Sequence, residues 1–164
     1  MTPERLEKLT RVANNRRFDI TVILENVHDP HNISAVLRTA DAVGIAEVFV
    51  INDSVKYSKR NGKKSSSSAN KWVDVHSFKT IDECLEVVRR KYNKLLCTHL
   101  NADAVDLYQN NFTTDSIALV FGNEHDGVSV ELLANKKLLF NHINVLAVES
   151  CVKILLPKVA TLPS

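Results

Sequence analysis

Glycine is scarce in this sequence, and its scarcity argues against one large class of binding site. Only four of the 164 residues are glycine, and no G-x-G-x-x-G pattern follows any apolar run, so the fingerprint of a Rossmann dinucleotide site is missing. The chain also lacks an HxxxH or HExxH pair, the spacing that places two zinc ligands on one helix face. The sequence therefore indicates neither a nicotinamide-binding domain nor a helical zinc site.

Cysteines and long apolar runs are also scarce. Cys84, Cys97 and Cys151 are an odd number without metal-ligand spacing, and their apolar contexts predict buried free thiols. No apolar run approaches the roughly 18 to 20 residues that span a bilayer, and the N-terminus is polar and charged rather than signal-like. We therefore expect a cytoplasmic protein with one main domain, residues 19–164, preceded by a basic helix within residues 1–18.

Acidic residues are sparse in the first part of the chain. Residues 1–94 hold 17 of the 21 Lys and Arg residues but 12 of the 19 Asp and Glu residues, a net charge of +5 against −3 for the remainder. Six bases and no acid lie in one polar stretch: Lys56, Lys59, Arg60, Lys63, Lys64 and Lys71. A second basic group lies near the N-terminus: Arg5, Lys8, Arg11, Arg16 and Arg17. Both fit a polyanionic partner, although a solvated loop and a solvated helix face explain the same residues.

Apolar runs and helical patterns alternate along the chain. The predicted strands cover 20–25, 47–52, 72–76, 94–99 and 116–121, and the predicted helices cover 3–14, the stretch between Asp29 and Gly44, and 80–90, with a turn or short helix at 104–108. In the first helix we expect Thr2 to be the cap, and Leu6, Leu9 and Val12 or Ala13 to face inward. This alternation predicts an α/β fold, a single-domain parallel sheet covered by helices, with ligands at the carboxyl ends of the strands.

The crossover between the first two strands is the best defined unit. Asp29 is expected to cap its helix, Pro30 to occupy the first turn and Gly44 to end it. The predicted buried stripe consists of Ile33, Val36, Leu37, Ala40 and Val43, and the residues predicted to face away from it are Ser34, Arg38 and Asp41. The crossover therefore carries polar side chains at the mouth of a strand-to-helix unit.

Two strand ends carry the side chains most suited to chemistry. Residues 25–32 and residues 122–129 each follow a strand, and we expect both to open at the same edge of the sheet. Gly122 lets the backbone turn or approach a ligand closely, Ser129 is a candidate helix cap, and Glu124 is placed at the rim. A metal site is an alternative that would use histidines with acidic neighbours, namely His28, His31 and His125.

These two segments resemble the motifs of a known family. Residues 26–44, N-V-H-D-P-H-N-I-S-A-V-L-R-T-A-D-A-V-G, are similar to the first motif of the SpoU (TrmH) branch of the SPOUT RNA methyltransferases, and residues 121–129, F-G-N-E-H-D-G-V-S, to the second. The resemblance implies an α/β domain with a C-terminal trefoil knot and a homodimer whose active site lies between two subunits. It also implies methyl transfer from S-adenosylmethionine to the ribose 2′-hydroxyl of a guanosine in the tRNA D-loop.

The resemblance also assigns candidate site residues. The positions linked to catalysis are Asn32, Arg38 and Glu124, and the candidate donor-binding positions are Gly122, Asn123, Ile143 and Ser150. The candidate RNA-binding residues are Arg11, Arg16, Arg17, Lys59, Arg60, Lys63 and Lys64. For Arg38 we expect an electrostatic and positioning role, because its guanidinium stays charged. The structural alternatives are a helix cap for Asn32, an ion pair with Asp41 for Arg38 and an acceptor of loop amides for Glu124.

The likeness weakens in residues 138–164, where the third motif of the family is expected. Ser150 and the two residues before it fit, and Pro157 interrupts the helix that should follow. The Pro, Gly and Asn of the motif are replaced by Ile143, Leu146 and Val152. One hypothesis is a change of reading frame near the end of the gene. The alternative function is a non-catalytic RNA-binding protein on the same fold, and a nucleotide-binding domain without RNA is more distant.

Overall fold

The computed structural model describes residues 1–52, 71–98, 105–106, 115–123, 125–134 and 140–144. Its helices are α1 (Pro3–Asn14), α2 (Pro30–Ala42), α3 (Ile81–Lys91) and α4 (Val130–Leu133). Its strands are β1 (Ile20–Glu25), β2 (Glu47–Ile51), β3 (Asp74–Phe78), β4 (Lys94–Thr98), β5 (Val105–Asp106), β6 (Ile117–Phe121) and β7 (Phe140–Asn144). The fold is therefore α/β, as predicted.

The strands form one sheet in the order β3-β2-β1-β6-β4-β7-β5. All the paired strands run parallel, which confirms the predicted parallel sheet. β6 is the central strand and pairs with β1 and β4, and β1 pairs with β2 on its other side. The carboxyl ends of β1 and β6 are therefore neighbours, and we call the edge on which they lie the carboxyl edge of the sheet.

Separate apolar layers cover the two faces of the sheet, because successive strand residues point to opposite faces. The layer on the α2 side includes Val22, Leu24, Ile33, Val36, Leu37, Val48, Val50 and Leu119. The layer on the side of α3 and α4 includes Ile23, Phe49, Cys84, Leu85, Val88, Cys97, Val120 and Leu132. Cys84 and Cys97 are buried free thiols, as predicted, and Cys151 lies outside the described residues. None of the helices in the described ranges is long and apolar enough to cross a membrane.

The predicted caps place α2 between β1 and β2. Asp29 is the N-cap and its carboxylate accepts a hydrogen bond from the His31 amide at 2.8 Å, while Pro30 opens the first turn. Gly44 follows the helix end with φ +81°, a left-handed conformation that suits glycine. Ser34 corrects one expectation, because it is buried rather than turned away from the sheet. Its small side chain allows it to join a buried face that is wider than the predicted stripe.

The expectation that α1 turns an apolar face inward holds only in part. α1 begins after the predicted cap, Thr2, and Leu9 and Val12 are half-buried, but none of its residues is fully buried and Leu6 remains 52% exposed. The amphipathic pattern was sufficient to predict the helix but not a surface of the same chain to cover it. Two smaller corrections concern strands: β3 begins two residues later than predicted, at Asp74, and Val105–Asp106 pairs with β7 instead of forming a turn or helix.

Candidate functional site

The two predicted motifs meet at the carboxyl edge of the sheet. At the end of β1, Asn26 donates its backbone amide to the Ile51 carbonyl at 2.8 Å. The Asn26 carbonyl accepts a hydrogen bond from the Asn123 side-chain amide at 2.9 Å. These contacts tie β1 to β2 and to the end of β6, which confirms that both strand ends open at one edge.

The loop that follows β6 closes on itself. The backbone amides of Asn123 and Gly127 each donate to the other's carbonyl at 2.9 Å, and the His125 amide donates to the Asn123 side chain at 2.8 Å. A Cβ on Gly122 would lie 2.0 Å from the carbonyl atoms of Gly127. Gly122 was expected to permit a turn or the close approach of a ligand. In the structure, its missing side chain permits close contact with the backbone of Gly127 in the same loop.

The far end of the same loop is attached to β1 through a buried carboxylate. Glu25 is 1% exposed and accepts hydrogen bonds from the Ser129 amide, at 2.9 Å, and from the Ser129 hydroxyl. The Ser129 oxygen also accepts from the Leu132 amide at 3.2 Å, so the predicted cap of α4 is confirmed. The contact between Glu25 and Ser129 was not predicted from sequence, because the two residues lie 104 positions apart.

Glu25 also affects a neighbouring thiol on β4. Burial, with a smaller contribution from the negative charge of Glu25, raises the pKa of Cys97 to about 12. Burial alone raises the pKa of Cys84 to about 12. Both thiols are therefore protonated near neutral pH, and neither is suited to act as a nucleophile.

Asn32 and Arg38 lie on α2, which begins at the carboxyl edge. Asn32 is in the first turn and is half-buried, but Asp29 is the helix cap, so the capping alternative for Asn32 is wrong. Arg38 is exposed on the helix surface. The Asp41 carboxylate, the ion-pair partner considered for Arg38, is bound by Arg16 at 2.5 Å.

The candidate RNA-binding residues have different surroundings. Arg16 binds both the Asp41 carboxylate and, at 3.1 Å, the Ile45 carbonyl, so its guanidinium holds the N-terminal segment against the end of α2. Arg17 pairs with Asp19. Arg11 is exposed on α1. The other candidates lie outside the described residues, namely Lys59, Arg60, Lys63 and Lys64.

Parts of the predicted site also lie outside the described residues. These include Glu124 and Ser150. Ile143 belongs to β7, where its backbone is in register with Thr98 of β4 and Val105 of β5. In the part of the chain that the structure describes, no group of three or more His, Cys, Asp or Glu side chains could hold a metal ion.

Asn26 has two unusual features that the sequence did not reveal. Its φ is +53°, in the left-handed region that non-glycine residues rarely adopt. Its buried Oδ1 has no hydrogen-bond partner among the described residues. Backbone strain and an unpaired buried acceptor both cost free energy, and in native proteins they concentrate at functional sites.

The chain is similar to a known protein family over most of its length. Residues 19–150 match the model of the SpoU rRNA Methylase family. The tRNA (guanosine(18)-2′-O)-methyltransferase of Escherichia coli is 34% identical over 134 residues, which is 82% of this chain and 57% of that protein. The enzyme of the same name from Thermus thermophilus is 36% identical over 133 residues, covering 81% of this chain and 67% of that protein.

A solved structure extends the likeness to the fold. A TrmH/SpoU tRNA modifying enzyme from A. aeolicus superposes with a TM-score of 0.79 at 26% identity, covering 96% of this chain and 82% of that one. The chain spans only about 57% of the length of the E. coli relative. The likeness therefore extends over the motif-bearing domain.

Proposed function

The chain belongs to the SpoU rRNA methylase family, and from this premise we propose that it transfers a methyl group from S-adenosylmethionine to the ribose 2′-hydroxyl of a guanosine in the tRNA D-loop. The proposal is supported by the names of the relatives that match more than 80% of the chain. The observation that carries it is the hydrogen bond from Asn123 to Asn26, which joins the two family motifs at one edge. The methyltransferase domain that we propose comprises residues 19–164.

Arg38 suits the chemistry of this reaction. A ribose hydroxyl is a poor nucleophile near neutral pH, so transfer requires removal of its proton or stabilisation of the developing oxyanion. Arg38 lies on α2, the helix that begins at the carboxyl edge, and its exposed guanidinium supplies fixed positive charge and two parallel donors. We assign Arg38 to electrostatic stabilisation and positioning, with Asn32 of the same helix and Glu124 of the second motif as further catalytic candidates.

The residues at this edge fit a nucleoside-containing methyl donor. When bound, S-adenosylmethionine supplies an electrophilic methyl group on a sulfonium centre. The unpaired Oδ1 of Asn26 is an acceptor of the kind that ribose hydroxyls and an adenine amine can satisfy, and it belongs to the residue that Asn123 contacts. We propose that the donor is held by Gly122 and Asn123, with Ile143 and Ser150 completing its pocket.

The tRNA is proposed to lie against the two basic segments of the chain. Lys and Arg side chains bind phosphates without reading the sequence, and an exposed loop base is the usual target of sequence-specific RNA recognition. Because Arg16 and Arg17 are already paired with carboxylates, we expect Arg11 and the stretch that contains Lys59, Arg60, Lys63 and Lys64 to contribute more.

We further propose a homodimer and a C-terminal knot. The apolar face of α1 supports the first, since Leu6 is 52% exposed and Phe18, just after the helix, is 70% exposed. Large apolar side chains that are exposed on one segment of the chain are consistent with a surface that binds another protein. The likeness to a TrmH/SpoU enzyme over 96% of the chain supports the second.

Calorimetry separates this proposal from its main alternative. The replacement of the third-motif Pro, Gly and Asn by Ile143, Leu146 and Val152 favours an RNA-binding protein that has lost methyl transfer. We expect S-adenosylmethionine and unmodified tRNA each to give saturable binding to the folded chain. Binding of tRNA without any binding of the donor would overturn the enzyme and favour the alternative.

A further inference from the structure

We infer that Glu25 is a positioning residue, which fixes the loop after β6 at the carboxyl edge so that Gly122 and Asn123 are held against the end of β1. This inference deepens the proposed function, on which its kinetic part rests. Glu25 does not belong to the candidate catalytic or donor-binding residues, and its role follows from contacts that join β1 to Ser129 across 104 positions.

The loop is anchored at both ends to two consecutive residues of one strand end. Asn123, at its beginning, donates to the Asn26 carbonyl at 2.9 Å. Ser129, at its end, donates its amide to Glu25 at 2.9 Å and its hydroxyl to the other carboxylate oxygen. The segment between these anchors is closed by the paired backbone hydrogen bonds of Asn123 and Gly127. The loop is therefore closed within itself and bound to β1 at both ends.

A buried carboxylate at this place is costly unless the loop occupies its observed position. Glu25 is 1% exposed and its charge is removed from water. Each of its two oxygens accepts a hydrogen bond from Ser129, and charge-assisted hydrogen bonds of this kind are about twice as strong as neutral ones. Displacement of the loop would leave a buried carboxylate without these donors, so the burial of Glu25 favours one loop position over others.

Three variants test the inference. Glu25→Gln keeps the shape and can both accept from the Ser129 amide and donate to its hydroxyl oxygen, whereas Glu25→Ala removes both contacts. Glu47→Ala is the matched control, because Glu47 is also a buried carboxylate but lies at the first residue of β2, on the opposite edge. All measurements are made on the full chain, well below the unfolding midpoint of each variant.

The first measurement is amide hydrogen exchange, which does not depend on the reaction. In Glu25→Ala we expect the Ser129 and Gly127 amides to lose about tenfold to a hundredfold of their protection. Glu25→Gln and Glu47→Ala should retain protection at both amides within about threefold. Unchanged protection in Glu25→Ala, or equal losses in Glu25→Ala and the Glu47→Ala control, would overturn the inference.

The second measurement is single-turnover methyl transfer to tRNA at saturating donor and tRNA. We expect Glu25→Ala to slow transfer about tenfold to a hundredfold, because small displacements of catalytic groups are costly, and Glu25→Gln to restore most of the rate. A Glu25→Gln variant as slow as Glu25→Ala would contradict a positioning role. Should the wild-type chain transfer no methyl group, the proposed function fails, and the exchange measurement still decides whether Glu25 holds the loop.

Discussion

At the scale of single residues, Arg38 has the most direct chemical role in the proposed reaction. Its guanidinium is exposed on α2, and its planar donors match a phosphate or a developing oxyanion better than a lysine ammonium does. We predict that Arg38→Ala lowers kcat by about a hundredfold to a thousandfold, the usual effect of removing one oxyanion-stabilising donor. Arg38→Lys should recover little of this loss. Steady-state kinetics measures both, and a kcat within about threefold of wild type in Arg38→Ala would contradict the assignment.

Glu47 has a structural role, which is visible in the pH dependence of stability. Burial raises its pKa, but hydrogen bonds from Lys91, at 2.7 Å, and Tyr92, at 2.9 Å, together with the charges of Lys91 and His76, outweigh burial and hold the pKa below its ordinary value. A carboxyl group with a lowered folded pKa stabilises the fold above its unfolded pKa, and this stabilisation is lost as the pH falls through the folded pKa.

We therefore predict that Glu47→Gln is less stable than wild type near neutral pH and that the difference shrinks below about pH 4.5. Urea unfolding at several pH values measures the two free energies of unfolding. A difference that stays constant, or grows, as the pH falls would contradict the assignment of ionised Glu47 to this cluster. Glu131, an exposed carboxylate on α4, provides the control substitution Glu131→Gln.

At the scale of secondary-structure elements, the closed loop after β6 depends on Gly122. A Cβ there would lie 2.0 Å from the Gly127 backbone, whereas a Cβ on Gly127 would meet nothing within 4 Å and would be disfavoured only by its φ of +70°. We predict that Gly122→Ala opens the loop, costs about 1–3 kcal/mol of unfolding free energy and weakens donor binding. Gly127→Ala should cost about 1 kcal/mol. Chemical denaturation and calorimetry test this ranking, and a larger cost for Gly127→Ala would contradict it.

Local sequence signals predicted most of the elements. β1 matches its prediction at both ends, and α3 begins one residue after its predicted start, because Thr80 is its N-cap. The hydrophobic period and capping residues carry this information within a few positions. The predicted start of β3 was two residues too early, because Trp72 and Val73 have strand-like side chains. The pairing of Asp74 with Glu47 of β2 sets the actual start.

The particular side-chain contacts between distant segments could not be predicted from sequence. The proximity of the two motifs follows from parallel strand order, and it was anticipated correctly. The link from Glu25 to Ser129 and the left-handed backbone of Asn26 depend on how three strand ends pack together. The partial exposure of α1 was also not predicted, because an amphipathic pattern predicts a helix but does not identify the surface that covers its apolar face.

At the scale of the whole molecule, the excess of basic residues in the first part of the chain predicts which segment contacts tRNA phosphates. Lys63 and Lys64 belong to a stretch of six bases without an acid, and phosphate contacts make binding salt-dependent. We predict that charge reversal of both residues weakens tRNA binding and flattens its dependence on salt. Charge reversal of Arg90, which pairs with Glu86 on the exposed face of α3, is the control. An unchanged salt slope in the double variant would exclude this stretch from the interface.

The exposed apolar surface near α1 predicts the state of assembly. Phe18 is 70% exposed, and α1 beside it has no buried residue. We predict that wild type sediments as a dimer and that Phe18→Glu shifts it towards monomer, because a buried charge without a partner is costly at an interface. Val130→Glu, at an 81% exposed position on α4, should leave the dimer intact. A wild-type monomer at high concentration would contradict the homodimer.

The central claim is methyl transfer to a tRNA ribose at the edge where the two motifs meet. The most direct measurement is incubation of the chain with unmodified tRNA and S-adenosylmethionine carrying an isotopically labelled methyl group, followed by mass spectrometry of the digested RNA. We predict labelled 2′-O-methylguanosine in the D-loop fragment, and its loss with Arg38→Ala. No labelled ribose, or a label on a base instead, in a reaction where the folded chain binds tRNA would contradict the claim.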